Sequence, residues 1–214
     1  MEASITLNSI GKTFNGNTLL ADLSFGVEKN TTFALIGTNS SGKSTILKLL
    51  VGIVEKDAGI AYINGKDIHT RSKEIRSITG YMSQNIDLDE ELSVLDNLII
   101  SARLHGLGHE TAKKNAIYYL EHFNSLDLAK LSPKYLSYGQ KRKIMFIRSI
   151  SHDPEVLLLD EPTKGLDPYS RNKIWDIIDK FSPKKTVLFS TQNLEEAEKY
   201  ADRIAILHEG NIKM

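Results

Sequence analysis

The sequence predicts an α/β protein with a mixed, mainly parallel sheet, an N-terminal antiparallel β subdomain and an inserted helical subdomain. Three observations carry that prediction. The apolar run Phe33-Ala34-Leu35-Ile36 passes through a glycine- and serine-rich turn into a pattern with Ile46, Leu49, Leu50 and Ile53 on one face, so the period of a strand gives way to that of a helix. Residues 156–207 alternate strand and helix, beginning with Val156-Leu157-Leu158-Leu159, apolar at every position as in a parallel strand buried on both faces. Between these stretches, residues 85–151 have few β-branched clusters and carry Val94, Leu95 and Leu98, then Ile117, Leu120 and Phe123, at helical spacing. The expected division is a core of residues 1–84 and 152–214 interrupted by a helical unit of residues 85–151, all in one domain.

The totals fit that plan. A chain of 214 residues that is 41% hydrophobic can bury its own core. Lys plus Arg number 27 and Asp plus Glu number 27, so no net field draws the chain to nucleic acid or to an anionic membrane, and nucleic acid is not an expected partner. The absence of cysteine excludes disulfides and thiol nucleophiles; it fits a reducing compartment, with the cytoplasm as the default. No apolar stretch approaches a membrane span, and Met1-Glu2-Ala3-Ser4 lacks the basic start of a signal peptide, so neither crossing nor export by that route is expected.

Taken in order, Ser4 to Val27 alternates apolar and polar residues, with turn clusters at Asn8-Ser9 and Asn15-Gly16-Asn17; this predicts short antiparallel strands. Phe14 lies there, as a core residue or as an aromatic face on which a flat base can stack. Gly37, Thr38, Asn39, Ser40, Ser41, Gly42, Lys43, Ser44 and Thr45 then form a P-loop, whose glycine spacing lets successive backbone N–H groups wrap a phosphate. Lys43 would reach the β- and γ-phosphates, Ser44 would offer its hydroxyl to Mg²⁺, and the next helix would aim its positive end at the triphosphate.

Asn64-Gly65 inside Ile60–Ile68 predicts a hairpin. Ile78 to Ser83 predicts a strand that delivers Gln84, either solvated or at the end of the sheet where ligands bind. Ser93 is the expected N-cap of the first inserted helix, which Gly106 and Gly108 end. Ser137 caps the next helix and offers a second anion site, with Lys141, Arg142 and Lys143 on its expected exposed face. Val156–Leu159 delivers Asp160 and Glu161, which from the residues alone fit a cation site or the capping of a following helix. In the first case Asp160 holds Mg²⁺ while Glu161 orients and deprotonates a water. Asp167-Pro168 starts a helix, and Thr186–Ser190 is a strand that runs into Thr191-Gln192.

In this order the motifs resemble one family across nearly the whole chain, the ATPase subunits of ATP-binding cassette (ABC) transporters, which are built on a P-loop NTPase core. GTNSSGKST is similar to the Walker A loop, Gln84 to the Q-loop glutamine, LSYGQ to the signature motif, VLLLDEP to Walker B with its glutamate, and Gly165-Leu166-Asp167 to the D-loop. The segments ARLHGL, DEPTKGLDP and NLEEAEKYADRIAIL are most like those of exporters serving drugs, small ions or lipids. The resemblance implies an ATPase that hydrolyses Mg²⁺-ATP with Lys43, Gln84, Glu161 and Gln192 as its catalytic residues, and with Ser44, Gln84 and Asp160 toward the metal. It implies that two subunits, alike or unlike, pair head to tail, so that Ser137, Gly139 and Gln140 of one meet the γ-phosphate on the other, with Asp167 also at the nucleotide. It further implies a separate transmembrane permease docked in a groove near Gln84, and a location in the cytoplasm on the inner face of the membrane.

Three positions depart from the family pattern. Gln192 stands where the family has its switch histidine; it can donate a hydrogen bond to a γ-phosphate but cannot carry a proton. The alternative reading is therefore a nucleotide-gated dimerisation module with weak or no hydrolysis. A soluble ABC protein acting on ribosomes or DNA is a third reading, opposed by the balanced charge and the lone cassette. Ser40 stands at a usual glycine, where it fits or strains the loop, and Tyr138 replaces a signature glycine, a change expected to matter least.

Overall fold

The computed structural model describes residues 2–182 and 184–213. In chain order the elements are β1 (Ala3–Phe14), β2 (Asn17–Glu28), β3 (Thr32–Ile36), α1 (Lys43–Leu50), β4 (Ala58–Ile63), β5 (Lys66–Asp67), α2 (Ser72–Ile78) and β6 (Thr79–Met82). They continue with α3 (Val94–Leu104), α4 (His109–His122), α5 (Tyr138–Ile150), β7 (Val156–Asp160), α6 (Pro168–Phe181), β8 (Thr186–Thr191), α7 (Leu194–Tyr200), β9 (Arg203–His208) and β10 (Asn211–Lys213). One sheet is antiparallel, in the order β2-β1-β4-β5; the other runs β10-β9-β3-β8-β7-β6 and is parallel except for β10.

The continuous apolar runs are explained by what covers each face of the larger sheet. In β7, Leu157 and Leu159 belong to one hydrophobic cluster, with α3, α4, α5 and α6, whereas Val156 and Leu158 belong to a second, with α1 and the antiparallel sheet. Neighbouring β8 divides the same way, Val187 and Phe189 against Leu188. Side chains alternate faces along a strand, so a strand covered on both sides has no polar position to show. The parallel strands end together, and β3, β7 and β8 bring the P-loop, Asp160-Glu161 and Thr191-Gln192 to one edge.

Three local expectations are corrected. Asn8-Ser9 is not a turn: β1 runs through it with a bulge, Ser9 having φ 52° and the pairing with β2 slipping between Leu7 and Ile10. The Ser9 N–H is satisfied by Ser24 Oγ at 2.8 Å, so an extra residue is absorbed without breaking the strand. Ile78 ends helix α2 and is not the start of the next strand, which is Thr79–Met82. Arg142 does not lie on the exposed face of α5; it is 0% exposed, while Lys141 and Lys143 are partly exposed on either side.

His152, just past α5, is buried with its ring stacked on His105 at 3.9 Å, and its Nε2–H donates to the Thr79 carbonyl at 3.2 Å. A second proton would sit on Nδ1, which has no partner among the described residues. Burial first, and then the nearby His105, push its pKa down to about 3. The folded pKa lies below the unfolded value near 6.5, so this stabilisation is complete above about pH 6.5 and is lost as pH falls toward about 3. Denaturant titrations at pH 7, 6, 5 and 4 should show His152→Phe losing less stability on acidification, the difference approaching about 1.4 kcal/mol per pH unit below pH 6.

Candidate functional site

The P-loop owes its shape to contacts only glycine allows. A Cβ on Gly37 would lie 2.5 Å from Ser41 Oγ and 2.6 Å from the Leu207 carbonyl, and Gly42 has φ 107°. Gly42 is the N-cap of α1, with no capping side chain and no acid in the first turn, so the first N–H groups of the helix face outward without a local acceptor. Ser41 Oγ is likewise buried, with no hydrogen-bond partner among the described residues. A loop left with excess donors suits an anion with several oxygens. Ser40, at φ 64°, adopts the left-handed conformation that disfavours a side chain, so of the two readings at this position the strained one holds. Ser40→Gly is expected to raise the unfolding free energy of the nucleotide-free protein by about 1 kcal/mol in denaturant titration.

Lys43 folds over this loop, donating from Nζ to the carbonyls of Gly37 at 2.7 Å and Thr38 at 2.9 Å. Its Nζ is also 3.8 Å from Glu161 Oε1. Burial lowers the Lys43 pKa, and the carboxylates of Glu161 and Asp160 work against that shift. Asp160, at the end of β7 and 1% exposed, accepts from Ser44 Oγ at 2.9 Å and from Ser190 Oγ at 2.7 Å. The hydroxyl of Ser44 and the carboxylate of Asp160 are thus already adjacent, and two hard oxygen donors beside a phosphate cradle fit Mg²⁺.

Glu161 follows in the left-handed region, φ 49°. Its N–H donates to the Ser190 carbonyl at 3.2 Å and Ser190 Oγ at 3.0 Å, and its carbonyl accepts from Arg142 Nη2 at 2.6 Å. The backbone is held on both sides while the carboxylate projects toward the loop. Gln192 lies across from it, donating through Nε2 to Glu161 Oε1 at 3.1 Å and to Asn39 Oδ1 at 2.7 Å. Lys43, Ser44, Asn39, Asp160, Glu161 and Gln192 therefore meet in one place, beside a cavity of about 730 Å³ that reaches from Glu161 and Gln192 to Gly165 and Arg171.

The other expected residues outside the P-loop make no side-chain hydrogen bond or ion pair to this cluster among the described residues. Ser137 caps α5, its Oγ accepting from Gln140 N–H at 3.2 Å while Gln140 Oε1 accepts from Ser137 N–H at 2.8 Å. With Gly139 they line a separate cleft of about 520 Å³ against Ser170 and Lys173 of α6, not against the P-loop of their own chain. Asp167 caps α6, accepting from the N–H groups of Tyr169 and Ser170 at 3.0 Å each. Gln84 lies just after β6; its carbonyl accepts from Arg142 Nη1 at 2.8 Å, and its side-chain amide bonds no other described residue. Phe14 is 44% exposed, so it is not a core residue. It pairs with Asn17, three residues before the Leu20 side chain that abuts Gly42, or about 10 Å along the strand.

Three residues at the site had no motif to announce them. Ser190 joins Asp160 to the Glu161 backbone. Arg142 bonds the carbonyls of Ser83, Gln84, Glu161 and Pro162. Glu196, buried, accepts from Thr163 Oγ1, from Trp175 Nε1 at 2.7 Å and from Thr191 Oγ1 at 2.5 Å, pinning the segments on either side of the site. Two of these partners, Thr163 and Trp175, are distant in sequence, so the acidic pair Glu195-Glu196 carries no sign of the burial.

A phosphate loop on β3 whose serine meets an acid from β7 defines a P-loop nucleotide-binding protein. Comparison with known proteins gives the family. The ABC transporter profile matches residues 20–164. The chain is 34% identical over 212 residues to the daunorubicin resistance ATP-binding protein DrrA3 of Streptomyces coeruleorubidus, covering 99% of this chain and 67% of that protein. It is 33% identical to the Nod factor export ATP-binding protein I of Burkholderia orbicola, over 97% of this chain and 69% of that one. Its fold superposes on the ATP-binding subunit of an ABC transporter with a TM-score of 0.87, at 28% identity and covering 98% and 88% of the two chains. The cassette MJ0796, solved as a dimer with ADP and Pi, gives 0.88 at 23% identity, over 98% and 97%. The chain belongs to the ABC transporter family as an ATP-binding, ATP-hydrolysing subunit. Among the described residues no helix is long and apolar enough to cross a membrane.

Proposed function

We propose that this chain hydrolyses Mg²⁺-ATP at composite sites formed by two ATPase subunits and so drives a separate permease, as an exporter. The observation that carries the reading is the Glu161 carboxylate, which faces Lys43 at 3.8 Å and Gln192 at 3.1 Å from a backbone held by Ser190 and Arg142. The P-loop residues Gly37 to Thr45 cradle the phosphates, Lys43 turns from the carbonyls of Gly37 and Thr38 to the β- and γ-phosphates, and Phe14 stacks on the adenine. Ser44 and Asp160, with Gln84, would hold Mg²⁺, which would supply positive charge against the triphosphate. Glu161 takes the proton of the attacking water, and Gln192 donates to the γ-phosphate. Ser137, Gly139 and Gln140, placed away from their own P-loop, act on ATP held by the second subunit, and Asp167 stands at that junction.

The helical unit of residues 85–151 carries this second half-site, and the core of residues 1–84 and 152–214 carries the first. Between them lies a groove of about 240 Å³ lined by Val51, Ile53, Tyr81, Ser101, His105 and Arg148, which would receive side chains of a short permease helix. Daunorubicin resistance and Nod factor export, named for two relatives, support the exporter reading, which would put the chain on the cytoplasmic face of the membrane. Sedimentation velocity tests the pairing. Glu161→Gln with Mg²⁺-ATP should sediment as a dimer, and the further change Ser137→Arg should leave it monomeric with ATP still bound. A monomer in both cases contradicts the composite site.

A further inference from the structure

Tyr138 and Arg142 lie four residues apart on α5, hence on one face of the helix. That face grips the loop that follows β7 at two points. Arg142, fully buried, donates to the carbonyls of Glu161 at 2.6 Å and Pro162 at 3.1 Å, and to those of Ser83 at 3.1 Å and Gln84 at 2.8 Å. Tyr138 donates its hydroxyl to the Lys164 carbonyl at 3.1 Å. Its ring covers Gly165, where a Cβ would come within 3.3 Å of it. Tyr138 is 45% exposed, so core packing does not explain its position. A glycine there could make neither contact. The residue before it is Ser137, the cap of the same helix.

We propose that Tyr138 and Arg142 form a two-point clamp by which α5 sets the position of Glu161 and its loop. The seating of Ser137 and Gly139 on a second subunit's nucleotide is thereby transmitted to the hydrolytic glutamate of their own chain. The clamp rests on the composite-site reading above. It works through backbone carbonyls, so the Glu161 carboxylate stays free for chemistry while its main chain follows the helix. A guanidinium with four carbonyl acceptors and, among the described residues, no carboxylate in an ion pair with it is a stiff anchor, because each charge-assisted bond is stronger than a neutral one. Both side chains are positioning residues, since they act on the loop through its backbone carbonyls.

Tyr138→Phe deletes only the hydroxyl, and Tyr138→Gly deletes the ring as well; both changes are at a half-exposed position that should leave folding intact. Two readouts are needed, amide hydrogen exchange at Lys164 to Asp167 and the split between kcat and KM for ATP. The clamp predicts faster exchange in that loop and a kcat about three- to tenfold lower in Tyr138→Phe, with KM within about twofold and a larger kcat loss in Tyr138→Gly. Arg142→Lys, which keeps the charge but not the fork, should extend the lost protection to Glu161. Unchanged exchange in both Tyr138 variants, or faster exchange with unchanged kcat, overturns the clamp. Glu161→Gln run alongside separates the two readings. If the unsubstituted protein is no faster than that variant, the base assignment fails, and exchange in the loop still decides the clamp.

Discussion

Glu161→Gln lowers kcat by about two to four powers of ten and leaves ATP affinity within a few fold, the range expected when a general base is removed and binding is kept. The geometry makes the substitution a clean one. Glu161 is fixed through its main chain, by Ser190 and Arg142, and those bonds do not depend on its side chain. Glutamine keeps the shape and can still accept from Gln192 Nε2, now 3.1 Å from the carboxylate. What is lost is the proton acceptor and the charge facing Lys43 at 3.8 Å. Lys43 is partly desolvated and is helped to stay charged by Glu161 and Asp160, so Asp160 alone must serve that role in the variant. Equilibrium nucleotide binding and single-turnover hydrolysis check the two halves of the prediction separately. A kcat within about threefold of the unsubstituted protein removes Glu161 from the base role.

Gln192→His raises kcat by about ten- to thirtyfold, and Gln192→Ala lowers it. Gln192 presents a neutral amide, whose Nε2 has two N–H donors, already directed to Asn39 Oδ1 at 2.7 Å and Glu161 Oε1 at 3.1 Å. An imidazolium adds charge and a mobile proton at the same strand end. A charged donor in place of a neutral one is worth about 1 to 2 kcal/mol at a developing phosphate charge. The gain in Gln192→His should fall away at high pH as the imidazole deprotonates, whereas the unsubstituted protein shows no such limb from this position. Equal rates for glutamine, histidine and alanine would show that the residue takes no part in the reaction.

Much of this was legible in the sequence wherever a function depends on neighbours along the chain. Gly37 and Gly42 declare the P-loop because sterics leave no alternative, and Val156–Leu159 declares a strand covered on both faces. The Ser137 and Asp167 caps follow from the residues just after them. What stayed hidden depends on partners far away in sequence. Arg142 sits in a Lys-Arg-Lys run that reads as solvated, and its acceptors are 19 to 59 residues distant. Ser190 looks like an ordinary strand residue until β8 lies beside β7. Helix α2 is short and starts without a side-chain cap, so Glu74 alone marks its first turn. Tyr138, expected to matter least of the three departures, supplies contacts of its own side chain to Lys164 and Gly165.

The most direct test of an ATPase that works in pairs is Mg²⁺-dependent ATP hydrolysis measured across a wide range of protein concentration, with Glu161→Gln as the control. A rate per subunit that climbs with concentration to a plateau, and is absent from the control, is the predicted result. A rate per subunit independent of concentration over a range where the protein is monomeric, or one equal to that of Glu161→Gln, would contradict the account.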